Sequence, residues 1–382
     1  MMMGFGRRLL ALALGGTAAL ILVFLPPTAH AAAARGAVAG PAVEKNLVVF
    51  LERYLPFDPA TRVTVSRATE RLPGFQGYKA RRTGKYEKLN VERTVYVSTD
   101  GKWFFAGETM KNTEAKPPAG DLGWIDRNLN QLYRSKVRAA RAPERDAAGF
   151  KAVAVAVETG FGRVRMPGYV TADGKTFLHG PLWNFREDPR TERRRKIDLS
   201  GGPAEGKTDA PVTIVEYADM ECGYCRFRGT QLDRLLDVNK DVLPVRRHYK
   251  FFPLWFGHAW AMKAASAGDC LFRLGGAPAF FRFKSIVYSR QESLSVTGID
   301  ELAVTSAEAL GVAPADFLSC YLQEESFSRV RKDMEEGQRL EVNSTPTFFV
   351  EGTEISWIED AVMEDFLRTK APNLKGISYA KP

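Results

Sequence analysis

Two cysteines, Cys222 and Cys225, enclose Gly223-Tyr224. A β-rich run, Pro211–Ala218, leads into them, and Leu232, Leu235 and Leu236 follow at helical spacing. A CxxC that ends a strand and opens a helix has a direct chemical meaning. The first sulfur sits where unsatisfied amides and the positive end of the helix dipole favour a thiolate. A thiolate is a nucleophile at neutral pH and a good leaving group. The second cysteine, one turn on, can attack a mixed disulfide formed at the first, so the pair can cycle between dithiol and disulfide. Two other uses of the motif compete with this one. A structural zinc site needs about four ligands. Cys270 and Cys320 stand singly, and His248 and His258 have no finger spacing, so no metal or other cofactor is expected. The remaining alternative is an inert structural disulfide, and the two histidines read as packing or surface residues.

The elements that must hold the motif can be read on either side of it. Beyond the first helix comes a strand-like run, Val242–Phe252, then an Ala-rich helix, Ala259–Phe272, and helical segments to about Leu340. Asn343-Ser344-Thr345-Pro346 precedes a strand, Thr347–Val350, and a closing helix near Ile358–Arg368. This order predicts an α/β sheet with a helical insert.

With 382 residues, 45% of them hydrophobic, the chain is long enough for about two domains. The single long apolar run, Leu9–Leu25, is N-terminal, which excludes a multi-span membrane protein. Arg7 and Arg8 precede it and Ala29-His30-Ala31 follows, the pattern of an export signal cleaved after Ala31. An uncleaved anchor is the rival, but the run is near the short limit for a bilayer of about 30 Å. Export, here expected to a bacterial periplasm, also suits the four cysteines. Residues 32–200 carry a net charge of +12 and residues 201–382 a net of −5. The basic residues are scattered and no nucleic-acid-binding signature accompanies them, so they read as a solvated surface.

Residues 32–195 read as a basic α+β region, opening on an amphipathic helix, Glu44–Tyr54. Two Asp-Gly hairpins look related. Val97–Gly107 aligns without gaps on Val170–Gly180, with six of eleven residues identical. Two degenerate helix-plus-hairpin units, or two unrelated hairpins with shared turn chemistry, both fit. The charged stretch Arg186–Lys196 lacks periodicity and Ser200-Gly201-Gly202-Pro203 is flexible in composition, so residues 196–206 are expected to be a linker. Residues 207–375 then form the catalytic domain.

The run Ala210–Cys225, ending Asp219-Met220-Glu221-Cys222-Gly223-Tyr224-Cys225, together with Ser344–Gly352, resembles the thioredoxin-fold Dsb oxidoreductases of the bacterial periplasm. The resemblance covers about residues 196–370. The long helical spacing from Cys225 to Pro346 is similar to the DsbA-like branch. The Gly-Tyr dipeptide and Thr345 are similar to DsbC-like isomerases. Val170–Phe185 is similar to the end of the DsbC-type dimerisation domain, which implies a cystatin-like N-terminal region, duplicated if the two units are real.

The resemblance implies that Cys222 is the exposed nucleophile and Cys225 the buried resolving thiol. Pro346 would be a cis-proline facing them, and Thr345 would offer backbone groups to a substrate peptide. Glu216, six residues before Cys222, would handle the proton of Cys225; a surface strand carboxylate is the alternative reading. If the CxxC pairs with itself, an oxidising compartment favours joining Cys270 to Cys320, and two buried free thiols are the alternative. The implied activity is thiol–disulfide exchange with cysteines of exported proteins, with a membrane redox partner recycling the CxxC. Gly-Tyr adds no charge to stabilise a thiolate, and with the extra N-terminal region this favours an isomerase or reductase. A disulfide-donating oxidase and a chaperone-like binding module are the alternatives. A DsbC-like region argues for a homodimer, whereas two units paired within one chain would make a monomer sufficient.

Overall fold

The computed structural model describes residues 41–113, 120–143, 146–357 and 359–377; the expected export signal at 1–31 lies outside the described residues. Helix α1 (Pro41–Tyr54) places Leu47, Phe50, Leu51 and Tyr54 on one buried face, as their helical spacing predicts. Strands β1 (Arg62–Leu72), β2 (Phe75–Thr83), β3 (Val91–Ser98) and β4 (Trp103–Phe105) follow as an antiparallel meander, then β5 (Glu108–Lys111). The pattern then recurs with α2 (Gly123–Tyr133), β6 (Val137–Arg141), β7 (Phe150–Thr159), β8 (Gly162–Thr171) and β9 (Thr176–His179), then β10 (Trp183–Asn184). The two similar hairpins are β3–β4 and β8–β9.

Pairing of the two short strands crosses between the sheets. The first sheet runs β1-β2-β3-β4-β10 and the second β5-β9-β8-β7-β6. Strand β5 follows β4 in the chain but pairs with β9, Glu108 opposite His179. Strand β10 follows β9 but pairs with β4, Trp183 opposite Phe104. Each meander is thus extended at its edge by a strand that leaves the other, so that β4 and β9 are covered and the sheets end there in short strands.

The segment expected to be a charged linker is in part a helix, α3 (Pro189–Lys196). Asp188 caps it, accepting from the Arg190 N–H, and Pro189 fills the first helical position, where a missing N–H costs nothing. Its four C-terminal cations lie at the negative end of the helix dipole. Arg193, which the sequence places on a solvated face, is 1% exposed. Its guanidinium lies 5.3–5.5 Å from the rings of Tyr54, Trp183 and Phe349 and donates to the Tyr54 carbonyl at 2.6 Å and to Glu354 at 3.5 Å. Close packing also fixes Gly352 (φ +75°), where a Cβ would come within 2.1 Å of the Arg190 carbonyl oxygen.

The remaining elements are β11 (Ala204–Glu205), β12 (Val212–Ala218), α4 (Gly223–Asn239), β13 (Val245–Phe251), α5 (Ala261–Arg290), α6 (Gly298–Ala309), α7 (Pro314–Tyr321), α8 (Ser328–Arg339), β14 (Thr347–Val350), β15 (Thr353–Ile355) and α9 (Val362–Arg368). They form a thioredoxin fold. Its sheet runs β11-β13-β12-β14-β15, with β12 central, parallel to β13 and antiparallel to β14. Helices α5–α8 are the insert, and a disulfide joins Cys270 in α5 to Cys320 in α7. Helix α8 packs on β8, where Glu335 accepts from the Arg165 amide at 3.1 Å and Arg331 donates to the Phe161 carbonyl at 3.0 Å. Among the described residues no helix is long and apolar enough to cross a membrane.

Arg193 links α1, α3, β10, β14 and β15 through one buried cation. Replacing it with alanine leaves the Tyr54 carbonyl and Glu354 without their donor. Arg193→Ala is expected to lower stability by about 3–5 kcal/mol, read by chemical denaturation. An unchanged midpoint would return this segment to the status of a surface linker.

Candidate active site

Strand β12 is buried along its length and ends at Ala218; Asp219-Met220-Glu221 then turns the chain so that Cys222 becomes the N-cap of α4. No side chain caps this helix, so its first amides remain available to the sulfur. Gln291, just after α5, fixes the turn from outside by donating to the carbonyls of Met220 at 2.8 Å and Cys222 at 3.1 Å. The pairing Tyr217↔Thr347 sets the start of β14 opposite the end of β12. The Thr345–Pro346 peptide, which is cis, is thereby brought to the CxxC. The Thr345 carbonyl lies 3.4 Å from the Cys222 sulfur.

The two thiols are unlike. Cys222 is acidified to about 6: the Cys225 thiol donates to its sulfur, burial opposes this, and the Cys225 amide adds a further hydrogen bond. Cys225 is wholly buried, and burial first, then donation to Cys222 and the Cys222 and Asp219 charges, push its pKa well above the usual thiol value. At neutral pH the pair therefore holds one negative charge, on Cys222. The expectation of an exposed nucleophile needs correction, since Cys222 is only 7% exposed. The Thr345 loop and the turn pinned by Gln291 pack around it. An exposed ring lies two residues on instead, Tyr224, which is 57% exposed.

Glu216 is no surface carboxylate. It is fully buried, and one of its oxygens accepts from Arg247 at 2.9 Å and 2.5 Å. Its other oxygen is buried without a hydrogen-bond partner among the described residues. Arg247 also binds Asp233 and Glu205. A second buried acid was missed from the sequence. Asp219 lies closer to the CxxC in the chain; its amide donates to the Cys225 sulfur at 3.4 Å and its charge opposes a thiolate on either cysteine. His258, expected to be a packing or surface residue, meets the Asp219 carboxylate at 2.6 Å. Two acids directly before a CxxC, at positions 219 and 221, were the available signal for this group. Nothing local pointed to Gln291 or His258, which arrive from distant parts of the chain.

A thioredoxin family model matches residues 199–368. The Na(+)/H(+) antiporter NhaA 1 of Mycobacterium sp. strain KMS is 32% identical over 162 residues, which is 41% of this chain and 25% of that protein. The chain thus spans about a quarter of the length of the antiporters it matches. A probable disulfide bond formation protein D of Bacillus anthracis is 29% identical over 175 residues, 45% of this chain and 79% of that protein. Among solved structures, oxidised BdbD of Bacillus subtilis is 24% identical with a TM-score of 0.41, covering 47% of this chain and 96% of that one.

The acidity of Cys222 predicts a pH profile. In the reduced protein, alkylation of Cys222 should rise with pH about a midpoint near 6, followed by thiolate absorbance or by mass spectrometry of the labelled site. Cys225 should stay unlabelled through neutral pH. A midpoint near the free-thiol value of about 8.5 would remove the asymmetry on which the chemistry depends.

Proposed function

We propose that this chain, whose residues 199–368 are a Dsb-type thioredoxin-fold domain, is an exported, periplasmic thiol–disulfide oxidoreductase working in the isomerase or reductase direction. The observation that carries the reading is the opposite protonation preference of Cys222 and Cys225 beside Thr345–Pro346. The Cys222 thiolate attacks a substrate disulfide, forming a mixed disulfide and releasing one substrate thiolate. The mixed disulfide is then resolved by a substrate thiolate, which is isomerisation, or by Cys225, which leaves the substrate reduced and the CxxC oxidised. In the second route the Cys225 proton must leave. Glu216, with one buried oxygen free, is the group proposed to take it. In this reading the Thr345 carbonyl accepts from an extended substrate backbone, and Tyr224 supplies an exposed apolar ring.

The direction is proposed from the stability of the thiolate. A lower nucleophile pKa stabilises the reduced form and makes the disulfide more oxidising. The strong oxidant DsbA has a nucleophile near pKa ≈ 3.5 and a potential of about −120 mV, against about 7 and −270 mV for thioredoxin. A Cys222 acidified only to about 6 lies nearer the reducing end. Such a protein needs an electron donor, which we place at the membrane. In acid-quenched cells, alkylation mapping should find Cys222 and Cys225 mostly reduced while Cys270–Cys320 remains joined. A mostly oxidised CxxC would show a disulfide-donating oxidase instead.

The oligomeric state has its own observation. The reciprocal exchange of β5 and β10, and the matching hairpins β3–β4 and β8–β9, support reading residues 41–185 as two copies of one unit. Each copy then supplies what a second chain would otherwise bring, and no homodimer is required. Light scattering after size-exclusion chromatography should give the mass of one chain. A two-chain mass would restore the dimer.

A further inference from the structure

Asp219 is an awkward neighbour for a thiolate. Its side chain is fully buried, and its negative charge works against ionisation of both cysteines. The surroundings hold this charge in a fixed arrangement. One carboxylate oxygen accepts from the Glu221 amide at 2.7 Å. The other accepts from the Leu254 amide at 2.8 Å and meets Nδ1 of His258 at 2.6 Å. Leu254 and His258 belong to the segment between β13 and α5, so one short loop supplies both an amide and an imidazole to the same oxygen. Glu221, the next acid along, is occupied differently. Its two oxygens accept from the amides of Ala259 at 3.0 Å and Trp260 at 2.6 Å. His258 is therefore the one titratable group hydrogen-bonded to the Asp219 carboxylate among the described residues.

We infer that His258 is a positioning residue for the redox pair: as an imidazolium bound to Asp219, it balances the buried carboxylate and so preserves the Cys222 thiolate. The inference rests on the reading of Cys222–Cys225 as the redox pair and adds the residue that tunes it. The side chain of His258 is 25% exposed, so its proton exchanges with solvent while Asp219 stays sealed. Asp219, Glu221 and the Cys222 thiolate are the titratable groups that bear on it, and all three are anionic when ionised. Hydrogen bonding to Asp219 foremost, against the cost of burial, lifts the His258 pKa above its usual value. The sign is then fixed. Below that pKa the Asp219–His258 pair is neutral overall and the thiolate is favoured. Above it, two anions are left facing each other across a buried turn.

The test uses the full chain in reduced form and reads the alkylation midpoint of Cys222. His258→Gln keeps size and polarity but removes the charge. We expect its Cys222 midpoint to rise by about one unit, roughly tenfold less thiolate at pH values below the midpoint. The equilibrium with glutathione at pH 7 should move about fivefold toward the disulfide, making the variant more reducing. Asp219→Asn removes the acid and, with it, the reason for His258 to hold its proton, so its midpoint should stay near that of the parent protein, and in that background His258→Gln should have little further effect. His258→Lys, cationic throughout, should restore a midpoint near that of the parent protein. An unchanged midpoint in His258→Gln overturns the inference. So does an equal rise in the Gln and Lys variants, which would make the residue a packing element. Failure of the underlying reading is separately visible, as absence of any Cys222–Cys225 disulfide in the parent protein after oxidation.

Discussion

Cys222 caps a helix while Cys225 lies inside it, and this separation of one turn puts two identical thiols in opposite electrical environments. The helix terminus carries roughly half a positive charge and open amides, both of which stabilise an anion at the cap. Cys225 is sealed in the core, where an anion would lose its hydration, so its proton is retained and donated to its neighbour. The two preferences reinforce each other. One thiolate accepting a hydrogen bond from one thiol is stable, whereas two thiolates in contact would not be. The difference survives only while the cap keeps its geometry. That geometry depends on a buried central strand, the carbonyl contacts of Gln291 and the Thr345 loop set by the β12–β14 register.

The chemistry was legible in sequence because it is local. A strand, a CxxC and a helix occupy consecutive residues, and so do Thr345, Pro346 and β14. The hairpins β3–β4 and β8–β9 announced themselves through Asp-Gly turns. Helix α3 was missed because it hides by an unusual means. It has no apolar face, and with Pro189 it buries two charged residues, Glu192 and Arg193, the latter covered by aromatic rings from remote segments. Its Asp188-Pro189 start was nonetheless a readable cap. The exchanged strands β5 and β10 are four and two residues long, and pairing between strands so far apart in sequence leaves no local trace. His258 was misread for the same reason. Its partner Asp219 is 39 residues away in sequence, and only the fold brings them together.

Charge was also more than a solvated surface. The basic first half and acidic second half meet in ion pairs, Lys85 with Asp365, Arg165 with Glu335 and Arg194 with Glu351. In each the cation comes from the first half. Their cations are well exposed, and pairs of this kind contribute about 0–1 kcal/mol each. They select a docking arrangement more than they stabilise it, and the buried Arg193 contact supplies the stronger attachment.

Docking of the halves also reaches the reactive sulfur. The loop after β13 is pinned at its start, where the Phe252 amide donates to the Ala218 carbonyl at 2.9 Å, and at Leu254 and His258 through Asp219. Between those points Trp255 packs against the core of the second N-terminal unit, around Trp124, Ile125 and Val155, as well as against the core that contains Cys222. The same seven residues therefore touch the N-terminal sheet with one side chain and the Asp219 carboxylate with another. A loop held at both faces keeps the imidazole at hydrogen-bonding distance more firmly than a free loop would, because its ordering entropy is offset by two packed interfaces. The N-terminal units thus act on the dithiol without contributing a reactive group: they fix the position of the one cation that balances the buried acid beside it.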